Sequence, residues 1–294
     1  MSNRRICGAA HLYGARYHII FQAGLLELRS GAWDFDPDTV PITELNEETM
    51  ADLHNYQNRM AQNRAQTGAM IDEGLRAYML KVYNLMALGL AITGVAAYGT
   101  YALAVSNPAF ANLLFASPLR WVIMLAPLGM VFFLSFRINK MSVSAAQTTF
   151  WVYAALMGLS LSSIFIVFTG QSIVQTFFVT AASFGALSLY GYTTKKDLSG
   201  FGTFLIMGLF GLIIASIVNI FLQSSAMGFA ISVIGVLIFA GLTAYDTQKI
   251  KEMYWEGDEA VVAGRKAIMG ALTLYLDFIN LFMFLLQFMG NRNE

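Results

Sequence analysis

The sequence predicts an all-α membrane protein of seven transmembrane helices. Three observations carry the membrane class and the span count. Apolar runs of about 20 residues recur along the chain, the length a helix needs to cross a bilayer. Charged residues make up 12% of the chain against 57% hydrophobic, roughly half the charged share of a soluble domain. Lys and Arg gather in alternate connecting segments, as they do in polytopic proteins.

Residues 1–49 differ from the rest. They scatter Arg and His among short apolar stretches such as Tyr17–Phe21 and hold an acidic, turn-rich patch from Asp34 to Asp38. Arg4–Arg5 is not followed by the compact apolar segment and small-residue site of an export signal. Two readings stay open: a tail without a fixed fold, or translation that begins at Met50 or Met60. Residues 50–79 are polar and rich in Ala, Gln and Met, the pattern of a juxtamembrane helix. The membrane domain occupies 80–290.

Its apolar runs fall near 80–104, 120–137, 148–169, 172–193, 202–222, 226–248 and 268–289. Thr169–Gly170–Gln171 alone separates the third and fourth, and Gln223–Ser224–Ser225 the fifth and sixth. Links this short force antiparallel neighbours. Gly158–x–x–x–Ser162, Ala181–x–x–x–Gly185 and Ala182–x–x–x–Ala186 put small residues on one helix face, where backbones can approach.

Orientation follows from the links. Arg59, Arg64, Arg76 and Lys81 precede or open the first span; Arg137 and Lys140 lie between the second and third. Lys195 and Lys196 follow the fourth, and Lys249, Lys251, Arg265 and Lys266 lie between the sixth and seventh. The opposite links carry Arg120, none, none and Arg292. The expected topology has the amino terminus in the cytoplasm and the carboxyl terminus outside.

Several function classes drop out. Basic and acidic residues balance at 18 each, so no nucleic-acid partner is implied. Cys7 is the single cysteine, which excludes an intrachain disulfide. His11, His18 and His54 all precede the first span, so no span holds a Ser–His dyad or a histidine zinc site. No catalytic residue and no resident cofactor are expected.

Two acidic residues lie within apolar runs, where a carboxylate is costly and marks a functional site by default. Asp277 sits near the middle of the last run and Asp246 toward the cytoplasmic end of the sixth. The two spans are consecutive and antiparallel, so both side chains can enter one interior pocket. Measured from the apolar boundaries, their depths differ by up to roughly 10 Å at about 1.5 Å per residue, unless the last span tilts or begins late. Asp246 can also be read as an interfacial residue offset by Lys249, and Asp277 as a neutral structural group. Asn219 and Asn280 read as inter-helix hydrogen-bonding groups, and Lys195–Lys196–Asp197 as a solvated loop.

If the carboxyls meet, both cannot ionise cheaply in a low-dielectric setting, so one proton is shared and the pair senses pH. Two Asp supply few of the six to eight oxygens that Ca²⁺ takes. Asp246 and Asp277 therefore make a weak or transient Ca²⁺ site, suited to permeation rather than storage.

At these positions the sequence resembles the Bax inhibitor-1 family, also called the transmembrane Bax inhibitor motif family, and its bacterial members in particular. The resemblance rests on Lys195–Lys196–Asp197–Leu198–Ser199, on Tyr245–Asp246 with Gln248–Lys249–Ile250, and on Leu272 through Phe282. It covers roughly residues 70–290. The family's fold, six helices around a central seventh, puts Asp277 on the central helix. The resemblance implies a pH-sensitive calcium-leak channel of the bacterial plasma membrane, in which Asp246 and Asp277 form a hydrogen-bonded pair near the cytoplasmic end of the pore. It also implies a basic residue at the end of the second helix in the closed-state network, for which Arg137 is the nearest match. Lipid, Ca²⁺ and protons are then the partners.

Two other functions compete with the channel. An intramembrane aspartyl protease would use the pair as general acid and base, but Leu274–Tyr275–Leu276–Asp277 replaces the Gly-x-Gly-Asp that such enzymes carry. A regulatory protein that binds a membrane protease or another membrane partner would work through its polar amino-terminal segment and needs no permeation.

Overall fold

A computed structural model describes the backbone of residues 47–293 and the side chains of residues 73–293. The expectations for residues 1–46 lie outside the described residues. Among the described residues the chain is helical, with one isolated β-bridge between Phe168 and Arg292.

The first helix, α1, is Glu47–Ser106 and includes the expected juxtamembrane segment; its apolar portion is Glu73–Ser106. Then come α2 (Leu119–Arg137), α3 (Val143–Leu161), α4 (Gly170–Thr193), α5 (Ser199–Leu222), α6 (Ser225–Glu252) and α7 (Ala260–Met289). Seven helices are long and apolar enough to cross a membrane, the number expected. They begin and end a few residues outside the apolar runs, because caps rather than hydropathy set the ends. Ser142, Thr169 and Ser224 accept hydrogen bonds from the backbone N–H of Ala145, Ser172 and Met227 and so start α3, α4 and α6. The α5–α6 link turns on Gln223, whose φ of 51° is left-handed, with Asn219 Oδ1 accepting the N–H of Ser224.

α7 is the most buried of the seven. Its apolar window is 67% buried, whereas the other six range from 11% to 39%. It packs mainly on α6, then on α4 and α3. Tyr275, fully buried, meets Phe150 and Tyr153 of α3 edge-on at 5.8 and 5.6 Å. Its hydroxyl shares a hydrogen bond of 2.7 Å with Thr93 of α1. Thr93 in turn donates to Ala154 O or Gly89 O, so the polar groups of this buried cluster are satisfied.

The small-residue spacing has mixed outcomes. A Cβ on Gly158 would collide with Thr93 O and with Ala96, so this glycine lets the backbones of α1 and α3 approach closely. Gly191, at the end of α4, lies against the backbone of Ala244 in α6. At Gly185 a Cβ would meet nothing within 4 Å, so this residue borders open space rather than a close helix contact.

Beyond α7 the chain folds back on the α3–α4 link. Thr169 N–H donates to Asn291 O and Asn293 N–H to Val167 O, at 3.0 and 2.9 Å. Asn291 N–H donates to Ser172 Oγ, and Asn293 Nδ2 reaches Ile166 O and Phe168 O. The carboxyl-terminal end of α7 is fastened to that link.

Candidate functional site

The register between α6 and α7 is fixed by antiparallel contacts along their length. Ser232 faces Gln287, Gly235 admits the ring of Phe284, and Ile250 fills the space beside Gly270. Between these levels the same register brings Asp246 to Asp277. α6 continues to Glu252, past the end of its apolar run, so Asp246 lies well inside the helix. α7 also begins early, at Ala260, and its first two turns carry Arg265 and Lys266 clear of the apolar part.

The two carboxyl groups lie close enough to act on each other. Two carboxyl oxygens bond only through a proton that one of them carries. Asp277 is 5% exposed and its Oδ2 is buried without a hydrogen-bond partner. Such an orphan costs about 1–3 kcal/mol, and it leaves an open acceptor inside the bundle. Asp246 is half-buried. The cation acting on it is Lys249, one turn away on α6, whose ammonium lies 5.8 Å over the ring of Tyr245. On the other side of Asp277, Phe278 makes edge contacts with Phe184 at 5.5 Å and Phe177 at 5.7 Å.

Arg137 is placed elsewhere. It is the last residue of α2 and exposed, with no ion pair or side-chain hydrogen bond to either aspartate among the described residues. No group of three or more His, Cys, Asp or Glu that could hold a metal occurs among the described residues. The pair therefore offers a cation two carboxylates at most, well short of a Ca²⁺ shell.

A polar chain missed in the sequence runs beside Asp246. Thr247 Oγ1 bonds Thr243 O at 2.7 Å, Ser188 meets Thr247 at 2.9 Å, and Tyr83 meets Ser188 at 2.6 Å. It ties α1 and α4 to the helix that carries Asp246. Gln248 is a second such residue: its amide donates to Lys196 O and its oxygen accepts from Leu198 N–H. The Lys195–Lys196–Asp197 side chains are exposed as expected, yet their backbone is clamped to α6. The hydroxyl and N–H of Ser199 hold the exposed Asp197 carboxyl below the usual carboxylate range. The signal available was adjacency to the family motifs: Gln248 lies two residues from Asp246, and its partners lie in the Lys-Lys-Asp segment. Asn280 and Asn219 do not bond across helices. Asn280 donates to Leu276 O in its own turn, and Asn219 caps the end of α5.

Comparisons with known proteins agree with the resemblance. A family model described as inhibitor of apoptosis-promoting Bax1 matches residues 75–294. A Rickettsia prowazekii protein described as uncharacterized is 52% identical over 223 residues, 76% of this chain and 93% of the relative. The inner membrane protein YbhL of Escherichia coli K12 is 50% identical over 222 residues, 74% of this chain and 93% of the relative. A Caulobacter vibrioides protein, also described as uncharacterized, is 49% identical over 235 residues, covering 76% and 92%. All three alignments take in most of the relative and leave about a quarter of this chain unmatched. With seven apolar helices and a family match over most of its length, the chain belongs to the Bax inhibitor-1 family.

Proposed function

We propose that this protein is an integral inner-membrane calcium-leak channel whose opening is set by the protonation of the Asp246–Asp277 pair. The single observation that carries the reading is the meeting of these two carboxyls at the α6–α7 interface, with one Asp277 oxygen buried and unpartnered. The inner-membrane location is carried over from the printed name of the E. coli relative.

The sign of the pH response follows from the bond. With the shared proton in place, the pair joins α6 to α7 and the pathway is closed. As pH rises the proton leaves, and two carboxylates at hydrogen-bond range repel in a low-dielectric interior. The α6–α7 contact then weakens and the freed oxygens face a passing cation. Lys249 is the charged group acting on Asp246, and Asp246 the one acting on Asp277. With only two carboxylates, the cation is held briefly, as conduction requires.

The test is Ca²⁺ flux into proteoliposomes at about pH 6 and about pH 8, on either side of the expected loss of the shared proton. Wild type is expected to pass more Ca²⁺ at the higher pH. Asp277→Asn and Asp246→Asn keep a hydrogen-bonding side chain that cannot ionise in that range, so their flux is expected to stay low at both. Flux no greater than in empty liposomes, or the same pH curve in all three proteins, would overturn the channel reading. It would favour a regulator that binds a membrane protease or another membrane partner.

A further inference from the structure

A cavity of about 430 Å³ lies between α1 and α4, at the end of the bundle that carries the basic links. Its wall is built from Leu80, Phe184 and Leu189, with Gly185 leaving the space open. Leu80 and Leu189 are 51% and 62% exposed, so the cavity opens sideways, toward the hydrocarbon, rather than into the bundle. Two hydroxyls, those of Tyr83 and Ser188, lie at its inner wall, and the protons of both are engaged. Thr247 gives its proton to Thr243 O, so Ser188 donates to Thr247 and Tyr83 donates to Ser188. Past the end lined by Arg76 and Tyr192, no spare hydroxyl proton faces the cavity, and a sugar, nucleotide or peptide would bury acceptors there unsatisfied. An alkyl chain would not.

The two ends of the cavity differ. Arg76 lines it where α1 enters its apolar portion, and Tyr192 lines it in the last turn of α4. Lys251 of α6 donates to Tyr192 O and stands 5.4 Å over the Tyr192 ring, adding a second positive charge at that end. Glu73 lies one turn before Arg76, and no ion pair joins them. An apolar slot of single-acyl-chain scale with cations at one end matches one chemistry in its surroundings. We infer that this groove binds one acyl chain of an anionic phospholipid, with the lipid phosphate held by the Arg76 guanidinium. A guanidinium suits a phosphate because its donors form a planar fork.

The groove does not depend on the channel reading, since it needs only the bundle and a bilayer. The test is native mass spectrometry of the full chain in detergent micelles, titrated with phosphatidylglycerol or with phosphatidylcholine of the same acyl chains. Wild type is expected to retain one phosphatidylglycerol about fivefold more tightly than phosphatidylcholine. Arg76→Gln, a change at an exposed position, is expected to abolish that preference while still retaining either lipid weakly. Gly185→Leu places its side chain in the open space and is expected to remove retention of both. Equal retention of the two lipids by wild type would overturn the assignment, as would unchanged selectivity in Arg76→Gln. Displacement of phosphatidylglycerol by inorganic phosphate would overturn it too, since that marks a free-anion site without an acyl slot.

Discussion

At the scale of single residues, most buried polar groups in this bundle have partners, and among the described residues Asp277 Oδ2 is the one buried carboxyl oxygen that, with the Tyr78 hydroxyl and Trp151 Nε1, lacks one. Thr93 and Tyr275 show the usual solution. Their shared hydrogen bond lies where α1, α3 and α7 meet, and Tyr275 is fully buried. Hydrogen bonds between membrane helices contribute about 0.6 kcal/mol on average, but a buried hydroxyl left alone costs about 1–3 kcal/mol. Thr93→Val strands the Tyr275 hydroxyl and is expected to destabilise the protein by about 1–2 kcal/mol. Adding Tyr275→Phe removes the stranded group. The double variant is then expected to lose less than the sum of the two single changes, which thermal unfolding in detergent would measure as a double-mutant cycle. Asp246 and Asp277 were legible in the sequence because a carboxylate in an apolar run is conspicuous. Asn280 was misread because an amide side chain does not reveal whether it will satisfy its own helix or a neighbour. Arg137 came from the family pattern alone, and pattern gives no direction to a side chain at a helix end.

At the scale of helices, hydropathy located all seven spans but not their ends. Apolar runs report what lipid tolerates, whereas a helix stops where its backbone groups find caps. That difference puts the ends of α6 and α7 beyond their apolar runs, so both aspartates lie well inside their helices. The small-residue spacings were equally ambiguous: the same pattern serves a tight crossing at Gly158 and an open groove at Gly185. A pair of substitutions separates the two uses. Gly191→Leu drives a side chain into the Ala244 backbone, which cannot yield as a side chain would. It is expected to destabilise by about 3 kcal/mol or more. Gly185→Leu, in open space, is expected to leave the unfolding midpoint within a degree or so of wild type, a shift below about 0.5 kcal/mol. Equal losses at both positions would mean that the α1–α4 groove is closed in the membrane.

At the scale of the whole molecule, the antiparallel helices collect the basic links at one end and the carboxyl-terminal tail at the other. Lys195, Lys196, Lys249, Lys251, Arg265 and Lys266 all lie on the side where α1 begins its apolar part. If that side is cytoplasmic, alkaline phosphatase fused after Asn293 is expected to be active in cells and green fluorescent protein fused there dark. The reverse pair of signals would invert the topology and move the aspartate pair to the outer half of the membrane. The greater burial of α7 could not be read from composition, because α5 has a more apolar window than α7 yet is the least buried of the seven.

The tail bonded to the α3–α4 link bears on how such a bundle can deform. A rod clamped at one end swings about the clamp, and its displacement grows with distance from that fulcrum. α7 is clamped by Asn291 and Asn293 at its far end, beyond Met289. Asp277 lies three turns from the clamp and Ala260 eight. A small tilt that barely disturbs the outer rim would therefore part the carboxyls by a modest amount and sweep the basic start of α7 through a wider arc. In lever terms, the start of α7 beside Arg265 and Lys266 has the longest arm, and the aspartate pair lies partway along it.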